Sequence, residues 1–369
     1  MCAASHFGAG LLKLAIVTDA WSPQVNGVVR TLQQTAAALA DLGHEVRVSS
    51  SQGHWTIPCP TYPEIRLALW PDKRLAAELD ELAPDAIHVA TEGPLGMAAA
   101  RYCVARGLSF TTSYHTQFPQ YVRKRLPIPE GITYALLRRH HAQARRTLVA
   151  TEHQRRELVA HGFRNVVLWS RGVDTELFRP RGREHLQHAR PIFAYLGRVA
   201  VEKNVAAFLE LDLPGTKVVI GDGPDLSMLE RRYPAAVFVG FKFGVELAQA
   251  LSSADVFVFP SCTDTFGLVL LEAMACGTPV AAYPVTGPID VVARGVTGAL
   301  DEDLRKAALE ALAIDREGCR RAAGEWTWQR ATAQFLSHLV RARGGEDLAM
   351  AERLGADPVR RLSDPRFGR

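Results

Sequence analysis

Two acids eight positions apart, Asp264 and Glu272, stand in the stretch CTDTFGLVLLEAMACGTPV over residues 262–280. The apolar run VFVFP at 256–260 reads as a strand that delivers the chain to Asp264. A helix then starts around Phe266-Gly267 and stops at Gly277-Thr278-Pro279. Glu272 lies among Leu268, Leu270, Leu271 and Met274, where a carboxylate is costly unless something donates hydrogen bonds to it. The diol of a ribose is a suitable donor. The N–H groups of Phe266, Gly267 and Leu268 lie at the helix start, and Gly267 permits a ligand to approach closely. A lone acid on a helix can equally pair with a neighbour, and Asp264 can act as a cap. Both carboxylates in one segment favour ligand binding.

Other groups fit the same chemistry. Arg198 and Lys203 follow the apolar run at 192–196, and two cations beyond a strand's carboxyl end suit a diphosphate, although they also suit an ordinary surface. If that diphosphate is a leaving group, each preorganised donor to its growing charge is worth about 10²–10³ in rate. In the loop SPQVNG at 22–27, Asn26-Gly27 can bring backbone N–H groups to a phosphate at a helix start, or can simply be a turn. Neither a Walker A sequence nor GxGxxG occurs, which counts against a P-loop kinase and an ordinary dinucleotide fold. His115, in SYHT, ends a strand that points into the expected cleft; a lone histidine there is as readily structural as catalytic. The triplet Asp301-Glu302-Asp303 directly precedes a helical run, where acids favour the helix dipole. It is therefore read as a helix start, and neither a catalytic metal nor another cofactor is expected.

These groups need strands to carry them. Apolar runs at 12–18, 45–49, 86–90, 108–113, 148–151 and 166–169 alternate with helical stretches such as 28–42 and 94–106. A second series follows at 192–196, 217–221, 237–240, 256–260 and 279–283. Buried strands alternating with helices imply parallel sheets covered on both faces. The expected fold class is α/β, with two doubly wound Rossmann-like domains, residues 1–175 and 190–324, facing across a cleft. The Arg-, His- and Gly-rich loop at 179–190 is the expected linker. Residues 325–343 are expected to cross back to the first domain, and residues 344–369 to form a loosely ordered tail.

Composition agrees. The chain has 369 residues, 47% hydrophobic and 22% charged, which excludes collagen-like, disordered and disulfide-scaffold classes. One core stops growing at roughly 250–300 residues, so two domains are expected. A net charge of +4 is too small to point to nucleic acid, and no stacking platform accompanies the basic residues. Six scattered cysteines without CxxC spacing read as thiols in a reducing compartment. No apolar run reaches the ~20 residues of a membrane-spanning helix, and residues 11–17, interrupted by Lys13, read as a first strand and not as a signal peptide.

Taken together, Asp264 and Glu272 at the acid-x7-acid spacing, Arg198 with Lys203, the Asn26-Gly27 loop and Gly172-Val173-Asp174 resemble the retaining glycosyltransferases of family 4, which have the GT-B fold. The resemblance runs from about residue 13 to residue 341. It implies that Glu272 binds the nucleotide's ribose, and that Asp264 with the backbone of Phe266, Gly267 and Leu268 holds the donor sugar. Arg198 and Lys203 would bind and stabilise the departing diphosphate, with Asn26-Gly27 approaching from the other domain. His115 would lie beside the anomeric carbon, and the base would pack near Gly240-Phe241. Two departures stand out: Asp264 replaces the usual first Glu, one methylene longer, and Asn26-Gly27 replaces Gly-Gly.

Residues 118–146 concern the acceptor. Phe118 and Tyr121 interleave with Arg123, Lys124 and Arg125, and more cations follow at Arg138, Arg139, Arg145 and Arg146. Apolar anchors beside basic clusters suit an anionic lipid surface, at roughly 1 kcal/mol per cation; a solvated basic face is the alternative. The HTxFPxY stretch is similar to bacterial lipid-directed members of the family. The expectation is a cytoplasmic enzyme, peripheral on the inner membrane, moving a hexose from a nucleotide sugar to diacylglycerol or a related lipid. A UDP-sugar is expected ahead of GDP-mannose. A soluble acceptor, a nucleotide-sugar 2-epimerase and a non-catalytic sensor are the other readings.

Overall fold

The computed structural model describes residues 11–59, 62–125 and 127–348. The first half contributes strands β1 (Lys13–Val17), β2 (Glu45–Ser49), β3 (Thr56–Cys59), β4 (Tyr62–Ala68), β5 (Ala86–Val89), β6 (Thr111–Tyr114), β7 (Arg146–Val149) and β8 (Val166–Leu168). Its helices are α1 (Gly27–Asp41), α2 (Asp72–Leu82), α3 (Pro94–Ala105), α4 (Phe118–Arg125), α5 (Glu130–His141) and α6 (Glu152–Ala160). Six strands form a parallel sheet in the order β2-β1-β5-β6-β7-β8, and β3 pairs with β4 as a separate antiparallel hairpin.

The second half contributes β9 (Ile192–Leu196), β10 (Thr216–Ile220), β11 (Val237–Phe238), β12 (Val256–Phe259), β13 (Val280–Ala282) and β14 (Gly298–Leu300). Its helices are α7 (Val205–Leu209), α8 (Leu226–Arg232), α9 (Gly244–Ser253), α10 (Leu268–Ala275), α11 (Pro288–Val291), α12 (Leu304–Ala311) and α13 (Arg316–Ala323), with α14 (Trp328–His338) last. The sheet order is β11-β10-β9-β12-β13-β14, all parallel. β9 and β12 are buried along their whole length, because helices cover both faces.

Two doubly wound domains thus face each other through the carboxyl ends of their strands. α14 does cross back. Phe335, Leu336 and Leu339 pack with Leu14, Ile16, Leu148 and Trp169 in the first domain's core. Trp169 Nε1 donates to the Ala331 carbonyl at 3.2 Å and Ser170 N to Gln334 Oε1 at 2.7 Å. The crossing helix, Trp328–His338, falls within the 325–343 expected.

Three other expectations shift. The strand expected at 108–113 runs instead over β6, whose Thr111, Thr112 and Ser113 are buried hydroxyls. The hairpin, α2 and β14 were not foreseen. The tail expected from 344 is packed at its start, since Leu348 is buried and donates its N–H to the Leu339 carbonyl; residues 349–369 lie outside the described residues.

Candidate active site

The acidic segment leaves β12 and turns into α10 through Gly267, whose φ of +81° is left-handed. A Cβ at that position would meet the Leu270 side chain at 3.0 Å, so only glycine fits this turn without strain. The helix starts two residues later than Phe266. Phe266 sends its ring into the core against Trp326, with centroids 5.6 Å apart, which leaves only its backbone to meet a ligand. Glu272 is buried, with Oε1 accepting from Arg30 Nη1 at 2.6 Å and Oε2 without a partner. Burial pushes this carboxyl up from its ordinary range, and the Arg30 guanidinium opposes the rise.

Lys203 reaches the same segment from the turn after β9, its Nζ 2.5 Å from Asp264 Oδ1. The turn is fixed by Asn204 Nδ2 donating to the Pro260 carbonyl at 3.2 Å and Thr263 Oγ1 donating to the Glu202 carbonyl at 3.3 Å. Asp264 Oδ2 is buried with no partner. Arg198 stands at the same strand end, its carbonyl accepting from the Tyr195 hydroxyl at 2.7 Å. The carboxyl ends of β9 and β12, neighbours in the sheet, therefore bring cations and acid together.

The first domain supplies the opposite wall. Gly27 opens α1 across from Leu268, whose Cδ1 lies 3.8 Å from where a Gly27 Cβ would stand. Asn26 is the helix cap: its Oδ1 accepts from the N–H groups of Val28 and Val29, both at 3.0 Å, an arrangement worth about 1 kcal/mol. Its side chain is therefore engaged with α1.

His115 follows β6 and is buried. Arg171 Nη2 donates to its Nδ1 at 3.1 Å. A guanidinium has only donors, so Nδ1 must be bare and the neutral ring carries its proton on Nε2. Burial above all, then the charges of Arg171, His88 and His141, hold this imidazole far below its usual pKa. Its Nε2 is buried without a partner, a lone N–H donor. The His115 carbonyl accepts from Thr265 Oγ1 at 2.8 Å, which ties the histidine across the cleft to the residue beside Asp264.

Phe241, after β11, is half-exposed and stacks on Phe243 with centroids 5.7 Å apart. Its ring is an exposed aromatic face beside the strand ends. In α4, Phe118 is half-exposed and Arg123 pairs with Glu130 at 3.5 Å; the side chains of Tyr121, Lys124 and Arg125 lie outside the described residues. Asp303 caps α12, accepting from Arg305 and Lys306 N–H groups, while Asp301 pairs with Lys306 at 2.6 Å. Among the described residues, no group of three or more His, Cys, Asp or Glu is placed to hold a metal.

Three residues of the site escaped the sequence reading: Arg30, Arg171 and Thr265. Arg30 lies one turn into the helix whose start faces the cleft, a visible signal. Arg171 directly precedes Gly172-Val173-Asp174. A Cβ on Gly172 would come within 2.3 Å of the Trp328 backbone N, so the GVD segment is where the chain clamps against the start of α14.

Two Rossmann-like domains with acids, cations and an unpaired histidine donor at their facing strand ends define a nucleotide-sugar-dependent glycosyltransferase of the GT-B class. The comparisons agree. The family model for Glycosyltransferase Family 4 matches residues 25–177, and that for Glycosyl transferases group 1 matches residues 190–314. A GDP-mannose-dependent alpha-mannosyltransferase of Mycobacterium tuberculosis is 31% identical over 78% of this chain and 83% of its own. The sulfoquinovosyl transferase of Arabidopsis thaliana is 31% identical over 84% and 70%. A GDP-mannose-dependent alpha-(1-6)-phosphatidylinositol dimannoside mannosyltransferase of M. tuberculosis is 30% identical over 71% and 75%. Among solved structures, sucrose-phosphate synthase from Thermosynechococcus elongatus superposes with a TM-score of 0.67 over 87% of this chain and 96% of its own, at 20% identity. The chain belongs to glycosyltransferase family 4, and it is a hexosyltransferase.

Proposed function

We propose that this enzyme transfers a hexose, with mannose from GDP-mannose as the leading donor, onto the headgroup of a membrane lipid. The sequence favours a UDP-sugar; the GDP-mannose-dependent relatives, matched across most of the chain, support placing GDP-mannose ahead of it. One relative acts on a phosphatidylinositol dimannoside, which supports a lipid acceptor. The observation that carries the reading is a set of three buried, unpartnered polar atoms at the facing strand ends: Glu272 Oε2, Asp264 Oδ2 and His115 Nε2. Buried polar atoms are costly when unpaired, and a nucleotide sugar offers two kinds of hydroxyl acceptor–donor and a ribose diol to pair them. Glu272 takes the ribose, Asp264 a sugar hydroxyl as acceptor, and His115 Nε2–H donates to a sugar oxygen. Gly27 N–H, Arg198 and Lys203 hold the diphosphate. The acceptor hydroxyl attacks the anomeric carbon on the face the diphosphate leaves, and its proton passes to the departing phosphate oxygen, so configuration is retained.

The acceptor lies at the membrane in this reading. No helix among the described residues is long and apolar enough to cross a bilayer. Contact is taken to be peripheral, at the cytoplasmic face of the inner membrane, on the strength of the basic and apolar α4–α5 surface. Along α5, Ile132 and Leu136 are 55% and 66% exposed on one face, beside Arg139. Residues 118–139 hold five cations and one acid. The test is to follow nucleotide release from GDP- and UDP-sugars with and without anionic lipid extract. Release from GDP-mannose that rises with lipid and yields a glycolipid is expected; release indifferent to lipid would instead favour a soluble acceptor or an epimerase.

A further inference from the structure

The hairpin β3–β4 opens on two tryptophans that the transfer chemistry does not use. Trp55 and Trp70 are each 84% exposed, although indole is among the groups that burial rewards most. They are neighbours at the open end of the hairpin, where Leu69 N donates to the Trp55 carbonyl at 2.7 Å. Trp70 also has a φ of +46°, a left-handed conformation that bulky side chains rarely adopt. Strain of this kind persists where something other than the fold uses it. Ile57 adds exposed apolar surface next to Trp55.

The charges around the indoles are positive. Arg66 lies on β4, donating to Thr56 Oγ1 and to the Thr56 carbonyl, both at 3.1 Å, and Arg74 donates to the Gly53 carbonyl. Both are exposed, as is Lys73. Among the described side chains, Asp72 pairs with Arg101 at 2.7 Å and Glu78 with Arg74 at 3.0 Å, so Arg74 and Glu78 offset each other and Arg66 and Lys73 carry the positive charge. Indole beside arginine and lysine is the composition of a surface that sits at lipid headgroups.

Position fits the same partner. Gln52 Nε2 donates to the Ser22 carbonyl at 2.9 Å, so the base of the hairpin adjoins the loop leading to Asn26-Gly27 at the cleft rim. α2 and α3 pack with Phe110, and α5 packs with Tyr114 on the same side of the strand that follows. The tryptophan pair therefore lies in the same helical layer as α4 and α5, and at the same carboxyl end of the sheet.

We propose that Trp55 and Trp70 form a second membrane anchor, seating in the headgroup layer of an anionic bilayer beside the α4–α5 surface. The proposal rests on the lipid-acceptor reading, and adds a surface that reading does not require. Each indole is expected to contribute about tenfold to partitioning.

The experiment uses the full chain and vesicles of phosphatidylethanolamine and phosphatidylglycerol, with sedimentation and quenching by brominated acyl chains as readouts. Trp169, Trp326 and Trp328 are buried and Trp21 is half-buried, so the exposed pair's share of the quenching is the part lost in W55F/W70F. Expected are binding and quenching for the wild type, loss of most quenching with binding retained in W55F/W70F, and at least tenfold weaker binding in W55A/W70A. W70G, which suits a left-handed backbone, should fold normally and still bind more weakly. A wild type that sediments without quenching, or a W55A/W70A variant that binds like wild type, overturns the anchor and leaves the lipid-acceptor reading standing. A wild type that ignores vesicles while glycosylating a soluble acceptor overturns both. Tryptophan fluorescence that changes on adding free oligosaccharide but is not quenched by the brominated vesicles would make the pair a sugar platform and overturn the anchor.

Discussion

In the proposed reaction Lys203 and Arg171 are both cations near the reacting atoms, and they act at different moments. Lys203 Nζ, held by Asp264 at 2.5 Å, would in that reaction face charge that grows only as the diphosphate departs. Lys203→Ala is expected to lower kcat by about 10²–10³ with a smaller change in KM, measured in steady-state nucleotide release. Arg171 is a positioning residue, acting through His115 Nδ1. Its guanidinium stacks over Trp169 at 4.3 Å and donates to the Ser170 carbonyl at 3.0 Å, so it is fixed before His115 is. In Arg171→Met the imidazole can take either tautomer. A fall in kcat/KM of about tenfold is expected, with nitrogen chemical shifts of His115 reporting mixed tautomers and partial rescue by Arg171→Lys. Unchanged shifts would show that Arg171 serves the fold alone. Neither this pairing nor Arg30–Glu272 was legible in the sequence, because a partner far along the chain leaves no local pattern. Glu272 was legible because its neighbours are apolar.

Elements explain the rest of what could and could not be read. β1, β5, β9 and β12 stand out because strands covered on both faces are continuous apolar runs. β6 does not: Thr111, Thr112 and Ser113 are buried hydroxyls, with Thr111 and Ser113 each 2.9 Å from a ring nitrogen of His88. A polar strand looks like a loop until its partners are known. The hairpin was hidden because Pro58, Pro60 and Pro63 interrupt the alternation that marks a strand. The polar seam at β6 also sets a pH response. Burial lowers His88 to about 3 and His140 to about 4, and His115 far below its ordinary value. Unfolded, these rings bind protons near pH 6.5, whereas folded they do not. Their contribution is complete above pH 6.5 and is lost as pH falls from there toward 3–4, at up to about 1.4 kcal/mol per pH unit for each ring. Thermal melts between pH 7.5 and 4.5 should show a steadily falling midpoint, and a flat profile would mean the rings are protonated or exposed.

At the scale of the whole molecule, three contacts hold the halves together, one of them the α6–α11 seam where His153 N donates to Asp290 Oδ1 at 3.1 Å; the other two are larger. One is the cleft contact, where Arg30 pairs with Glu272 at 2.6 Å and Thr265 bonds the His115 carbonyl at 2.8 Å. The other is α14, which fills the first domain's core although it follows the second domain in sequence. A chain ending at residue 326 keeps Trp326 in the second domain's core and should fold that domain, while Leu14, Ile16 and Trp169 lose the cover that α14 gives them. It is expected to bind a hydrophobic dye and aggregate; a monomeric truncation with native far-ultraviolet dichroism would contradict this. The same helix reverses the usual order of events on the ribosome. The half synthesised first has to wait, its core open along one side, while the whole of the second domain is made and α14 emerges behind it. The first-born domain is thus the last to close, and the nascent chain is most exposed to chaperones and proteases over that interval.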